Sequence, residues 1–209
     1  MAKPLFRLYL ITDRNQTGGR LLIDVVKEAL AGGVKAVQLR EKDLPIRELL
    51  RLAEEMRKIT KETGAMLFIN GRMNAAMAVE ADGIHIGQSD LPVDVVRKIV
   101  GNRFMIGVST HNIVEAKEAE KGGADFITFG PIYETPSKLK YGKPLGINLL
   151  KEARSEVSMP IFAIGGIKLN NIKDIITAGA DGAAVISAII GAKEPKKAAE
   201  ELLRYTPSP

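Results

Sequence analysis

The chain has 209 residues, 45% of them hydrophobic, which suffices for a sizeable core and makes one domain over 1–209 the expectation. No apolar run approaches the ~18–20 residues that cross a membrane, and the absence of cysteine excludes disulfides and thiol chemistry. The net charge of +5 is carried by Lys and Glu interspersed along helices (EEMRKITKE, KEAEKGG), with few aromatic residues for base stacking. The expected partners are therefore small anionic molecules and not nucleic acid or membrane, in a cytoplasmic protein compatible with a homo-oligomer.

The opening MAKPLFRLYLITDRN sets a basic residue before an apolar stretch, as a leader would. That stretch is short, carries Arg7 and runs into Asp13 and Arg14 with no small-residue cleavage site, so it reads as a first buried strand, LYLIT at 8–12. Further along, one junction recurs: a helix ends in Gly, a small or acidic residue follows, and an apolar strand begins. It appears as AGGVKAVQL (31–39), EADGIHI (80–86), KGGADFITF (121–129) and AGADGAAVI (178–186). AMLFI (65–69), FMIGV (104–108) and IFAIG (161–165) supply three more apolar runs. Each of the eight is nearly continuous in hydrophobicity, as strands buried on both faces should be.

Amphipathic helical segments fill the gaps: LIDVVKEAL, IRELLRLAEEMRKIT, MNAAMAVE, VDVVRKIV, IVEAKEAEK, NLLKEAR, NIKDIITA and KKAAEELLRY. Pro45, Pro92 and Asn112 mark helix starts. Eight alternations of strand and helix predict an α/β chain forming a single (β/α)8 barrel, a fold whose lower size limit is about 200 residues. An open doubly wound sheet would carry G-x-G-x-x-G after its first strand, and that motif is missing. The one long irregular stretch, GPIYETPSKLKYGKPLG (130–146), is of a length that is usually functional in so tight a barrel.

In such barrels the residues that follow each strand build the site. After the second strand, Gln38 and Arg40 point the same way, and Arg40 with Lys42 places two cations at the mouth, either as a solvated loop or as an anion site. Asn70-Gly71-Arg72 after the third strand suits a turn. After the fourth come His85, Gln88 and Asp90, where Asp90 could bind a metal or, the better reading in isolation, cap the next helix. Ser109-Thr110-His111 is a helix start or a polar rim. Gly165-Gly166 ends the seventh strand, and Ile186-Ser187 the eighth. Loops at these two places commonly hold phosphate through backbone N–H groups, and here Ser187 adds a hydroxyl.

Taken in order, LYLITD, QLREK, ADGIHIGQSDLP, IGVSTH, DFITFGPIYETPSK, IFAIGGI and GADGAAVISAI resemble the thiamine phosphate synthase family over nearly the whole chain. That family joins 4-amino-5-hydroxymethyl-2-methylpyrimidine diphosphate to 4-methyl-5-(2-hydroxyethyl)thiazole phosphate, releasing diphosphate with the help of Mg2+. The resemblance implies that Gln38, Arg40 and Lys42 hold the pyrimidine diphosphate, with Asn70 beside it and Lys138 on the diphosphate. Ser109 would bond the pyrimidine and Asp90 would ligate Mg2+, which makes Arg40, Lys42, Ser109 and Lys138 the catalytic set. Thr135 and Ser137 would contact the thiazole phosphate, joined by Gly165 or Gly166, Ile186 and Ser187.

Two departures stand out. The family usually has Asn-Asp after the third strand, the Asp being a second Mg2+ ligand, and here that place is Gly71. Gly71 and Glu134 resemble instead the sister thiazole tautomerases, in which Glu134 or His111 would have to carry the proton. The tautomerase histidine, however, falls at Pro131, which cannot move a proton, while QLREK and GQSD are retained. A non-catalytic protein that binds thiazole phosphate or thiamine phosphate is the third reading.

Overall fold

The computed structural model describes residues 6–135 and 143–206. Eight parallel strands close into a barrel in chain order: β1 (Leu8–Ile11), β2 (Ala36–Leu39), β3 (Met66–Asn70), β4 (Gly83–Ile86), β5 (Met105–Thr110), β6 (Phe126–Phe129), β7 (Ile161–Ile164) and β8 (Gly182–Val185). Closure is made where Leu8, Tyr9 and Leu10 pair with Ala183, Ala184 and Val185. Every apolar run picked out in the sequence is one of these strands.

The strands are separated by α1 (Leu22–Ala31), α2 (Ile46–Glu62), α3 (Met73–Ala78), α4 (Val93–Val100), α5 (Ile113–Lys121), α6 (Gly146–Glu156) and α7 (Ile172–Thr177). After β8 the sequence predicts one helix, whereas the structure has two, α8 (Ser187–Ile190) and α9 (Pro195–Leu203). A four-residue turn of helix is too short to leave a 3.6-residue period in the sequence. Pro45 and Pro92 stand at the N-caps of α2 and α4. Asn112 caps α5 by accepting from Glu115 N at 2.9 Å, and its amide donates to Glu115 Oε1 at 2.7 Å.

Alternation along each strand sorts its side chains into two cores. Outward residues such as Leu10, Val37, Leu39, Leu67 and Ile84 join the apolar stripes of the helices. Inward residues fill the bore, where Phe6, Tyr9, Phe68, Phe126 and Phe162 form a plug of edge-to-face and stacked rings. The bore has room for them because inward positions on neighbouring strands lack a side chain. A Cβ on Gly83 would lie 2.4 Å from the Phe68 ring, one on Gly107 2.5 Å from Phe126, and one on Gly182 2.6 Å from Phe162.

The acidic residue of the recurring junction has a repeated task at the barrel floor. Asp82, Asp125 and Asp181 each stand immediately before an even-numbered strand. Each turns Oδ2 onto the backbone N–H that starts the preceding strand: Leu67 at 2.7 Å, Ile106 at 2.7 Å and Ile161 at 2.9 Å. The same oxygen meets an arginine from the helix before that strand, which is Arg57, Arg97 or Arg154. One carboxylate thus ties a helix and two strands together at three of the four β-α-β-α quarters. In the first quarter Lys35 takes that place and donates instead to Thr63 O at 3.0 Å.

Replacing Asp181 by Ala strands the Ile161 N–H and takes the carboxylate from the Arg154 guanidinium, which keeps Met159 O and Val157 O, and should cost about 1–3 kcal/mol in chemical denaturation. The same change at Asp94, whose partner Lys98 is exposed with it, should cost less than about 1 kcal/mol. Equal losses at the two positions would refute the clamp.

Candidate active site

The C-terminal ends of the strands converge on a mouth whose first wall is clamped from below. Glu41, buried although charged, accepts from Thr12 Oγ1 at 2.7 Å, from Arg14 N at 3.2 Å and from Arg14 Nη1 at 3.1 Å. Thr12 Oγ1 in turn accepts from Arg40 N at 2.9 Å, so the β2–α2 loop is pinned to the end of β1. The Arg14 guanidinium forks onto both oxygens of Asp43 at 2.7 Å and holds that carboxyl below its ordinary range. Arg40 is half-buried and Lys42 exposed on this loop, so the two cations ride on a framework of Thr12, Arg14 and Glu41. The sequence offers no sign of that framework beyond a charged residue next to a strand end, because its partners are 27–29 positions apart.

Above the aromatic plug the bore turns polar. Gln38 Nε2 donates to Tyr9 Oη at 3.1 Å, Tyr9 Oη lies 3.4 Å from His85 Nδ1, and His85 Nε2 lies 3.0 Å from Ser109 Oγ and 3.5 Å from Thr128 Oγ1. Gln38, Tyr9, His85 and Thr128 are all buried. Burial first, and the nearby charge of Arg40 second, push His85 down to about 3, so the ring is neutral. Burial also drives the Tyr9 phenol well above its usual range, against the opposing hydrogen bond from Gln38. Of this set only Gln38, His85 and Ser109 stand out in the sequence. Tyr9 and Thr128 read there as ordinary strand residues.

The third wall is Asn70, Gly71 and Asp90. Asn70 Nδ2 donates to His85 O at 3.0 Å, which fastens the end of β3 to β4. Gly71 has φ +66, and the Asn-Gly turn expected from the sequence is present, with Gly71 N on His85 O at 2.9 Å. Asp90 does not cap α4, whose N-cap is Pro92 without a side-chain bond. Instead Asp90 Oδ2 accepts from Gly87 N at 2.7 Å, closing a turn that leaves the exposed carboxylate beside Gly71. A Cβ on Gly71 would come within 3.2 Å of Asp90 Oδ1. The capping alternative is thereby corrected: the chain turns too early for the Asp90 side chain to reach the first free N–H groups of α4. Gln88 Nε2 reaches Ser109 O at 2.6 Å, so this wall continues onto β5. His111 Nδ1 lies 3.1 Å from Glu115 Oε2, at the start of α5.

The fourth wall joins the β6 loop to the ends of β7 and β8. Ile132 N donates to Ile164 O at 2.8 Å and Tyr133 N to Gly165 O at 3.0 Å, laying the loop along the end of β7. A Cβ on Gly165 would lie 2.5 Å from Pro131 Cβ, and one on Gly166 2.7 Å from Glu134 O. These glycines therefore make room for the neighbouring loop, a task that the sequence does not signal. Thr135 is half-buried and Glu134 exposed at the end of this segment. Ile186 is half-buried, and exposed Ser187 opens α8 and lines a cleft with Lys168. Ser137 and Lys138 lie outside the described residues. Among the described residues no group of three or more His, Asp or Glu side chains is placed to share a metal.

A closed parallel barrel whose strand ends gather two cations on a pinned loop, an amide–phenol–imidazole–hydroxyl row and a glycine-lined wall has the layout of a barrel enzyme. Comparison with known proteins narrows this. The model of the thiamine monophosphate synthase family matches residues 8–189. A protein of Geobacter sulfurreducens is 53% identical over 207 residues, 99% of this chain and 97% of its own. The thiamine-phosphate synthase of Moorella thermoacetica is 46% identical over 199 residues, 95% of each chain. The solved thiamine phosphate pyrophosphorylase of Pyrococcus furiosus superposes with a TM-score of 0.87 at 38% identity, covering 96% of this chain and 95% of that one. The chain belongs to the thiamine monophosphate synthase family and is a transferase.

The depressed His85 carries a stability signature. An ordinary histidine gains its proton near 6.5, whereas His85 in the folded chain gains it only near 3. Between those values the unfolded chain binds the proton and the folded chain does not. The stability from this group is therefore full above pH 6.5, is lost as the pH falls through that window, and levels off near 3. Denaturation of the wild type and of His85→Gln across that window checks it: the variant should show a shallower acid loss, and parallel curves would refute a neutral buried imidazole.

Proposed function

We propose that this chain joins 4-amino-5-hydroxymethyl-2-methylpyrimidine diphosphate to 4-methyl-5-(2-hydroxyethyl)thiazole phosphate, giving thiamine phosphate and diphosphate. The observation that carries the reading is the juxtaposition of an uncharged hydrogen-bonding row, buried at Gln38, Tyr9 and His85 and opening at half-buried Ser109, with the two cations Arg40 and Lys42 on the loop beside it. A heteroaromatic ring suits the first and a diphosphate the second. No strong nucleophile is required. The bond from the pyrimidine methylene to the diphosphate oxygen breaks, and the electron pair leaves with diphosphate. The thiazole nitrogen then supplies the lone pair that forms the new C–N bond.

Protein groups need only stabilise the leaving charge and hold the two rings in line. Arg40 and Lys42 would take the diphosphate, together with Lys138 from beyond the described residues. Gln38 and Ser109 would hold the pyrimidine, with Asn70 at its edge. Thr135, Ser137, Gly165 or Gly166, Ile186 and Ser187 would receive the thiazole phosphate. The setting would be cytoplasmic, in keeping with a cysteine-free sequence. Among the described residues no helix is long and apolar enough to cross a membrane.

The residues at Asp90 fit a Mg2+ ion bound lightly. Mg2+ keeps several waters and is commonly held by one or two carboxylates plus substrate phosphate. Asp90 is an exposed carboxylate with open space at Oδ1, where Gly71 brings no side chain. Mg2+ bound there would offset charge on the departing diphosphate. The tautomerase reading has less to work with: Glu134 is exposed, and His111 is engaged with Glu115.

Incubating the chain with both phosphorylated halves and Mg2+ should yield thiamine phosphate, and no product at any Mg2+ concentration would sink the reading. Gly71→Asp tests the metal site, since φ +66 is a conformation that Asp tolerates better than most residues. The variant should reach half-maximal activity at lower Mg2+ than the wild type. It should also melt at a lower temperature in chelator, where the new carboxylate faces Asp90 uncompensated. An unchanged Mg2+ requirement in a folded variant would remove Asp90 as the ligand.

A further inference from the structure

Tyr9 and His85 are buried and polar, and the roles above give neither of them a direct contact with substrate. They join strands β1, β2, β4 and β5 across the bore, and the joint has a direction. Gln38 Nε2 can only donate, so Tyr9 Oη accepts from it at 3.1 Å. The phenol keeps its own proton, and the other partner of its oxygen is His85 Nδ1 at 3.4 Å. Tyr9 therefore donates to Nδ1. A neutral ring then carries its single proton on Nε2, which faces Ser109 Oγ at 3.0 Å. Ser109 Oγ accepts that proton's hydrogen bond, and its own hydroxyl hydrogen is left for a ligand.

At the other end the Gln38 carboxamide is held with its nitrogen against Tyr9. Its oxygen is thereby the acceptor end, with the second N–H beside it as a donor. A carboxamide held so matches a ring edge that carries an amine next to an acceptor nitrogen, the pairing by which Asn or Gln reads adenine. Turned over, it would match an oxo group next to a ring N–H. The slot for the imidazole depends on the fold: a Cβ on Gly107, the residue paired with His85 on β5, would lie 2.6 Å from Nδ1.

We propose that Tyr9 and His85 are positioning residues whose ordered hydrogen bonds, running Gln38–Tyr9–His85–Ser109, set which ends of Gln38 and Ser109 donate and which accept, so that the pocket selects an aminopyrimidine over its oxo counterpart. The proposal rests on the synthase reading for the identity of the ring.

Two measurements test it. The chain has two histidines, so 15N-histidine labelling with His111→Asn for assignment isolates His85. At neutral pH, NMR should show the neutral tautomer protonated at Nε2. A ring protonated at Nδ1, or at both nitrogens, would overturn the proposal on the unmodified active site, whatever the activity.

The second measurement is the ratio of kcat/KM for the aminopyrimidine diphosphate to that for the oxo analogue. Tyr9→Phe and His85→Leu should each lower this ratio by about tenfold or more, chiefly by raising KM for the amino substrate while KM for thiazole phosphate holds. His85→Gln should recover most of the ratio, since its carboxamide can accept from Tyr9 and donate to Ser109. An unchanged ratio in folded Tyr9→Phe and His85→Leu that still make thiamine phosphate would overturn the relay alone. Failure of the unmodified chain to make thiamine phosphate would take down the functional reading and the relay with it.

Discussion

An eight-stranded barrel has a bore just wide enough to be filled by its own side chains, and how that volume is shared out governs everything above it. Here five aromatic rings occupy the lower bore because Gly83, Gly107 and Gly182 yield the space that a Cβ would take. The plug seals the floor and sets the level at which the interior turns polar. His85 sits at that level, packed against Tyr9 and Phe126 below and touching Ser109 and Thr128 above. The ring is neutral because the plug keeps water from it, and because Arg40 makes a second positive charge costly.

The mouth is stiffened by hydrogen bonds that reach between consecutive loops. Glu41 holds the β1 and β2 ends together, Asn70 holds β3 to β4, and Gln88 holds the β4 loop to β5. On the far side the β6 loop lies along β7 through Gly165 and Gly166. Arg40 and Lys42 are thus carried on anchored backbone. The barrel floor uses a different device, a carboxylate repeated at Asp82, Asp125 and Asp181, each bound to an arginine and to the N–H that opens a strand. Stability and chemistry are in this way assigned to opposite ends of the same strands.

The local signals that survive translation into three dimensions are those with a short period or a fixed neighbour. Continuous apolar runs became strands, Asn112 became a cap, and Asn70-Gly71 became a turn, because each is decided within about four residues of chain. Asp90 shows where that reasoning fails. As a residue type before Leu91-Pro92 it suits a helix cap, yet its carboxylate turns back to Gly87 N, a choice set by the path of the β4–α4 loop. The single-turn α8 also left no period to read.

By itself, then, the sequence determined the alternating strands and helices and the barrel they close into, since alternation and glycine punctuation are properties of neighbouring residues. Only the tertiary structure decided that Tyr9 and Thr128 belong with Gln38, His85 and Ser109. Only it decided that Glu41 is a buried clamp and that Gly165 and Gly166 make room for the β6 loop. Those facts join residues from 24 to 76 positions apart, which strand pairing and, for Tyr9 with His85, the curvature of the sheet around the bore bring within hydrogen-bond reach.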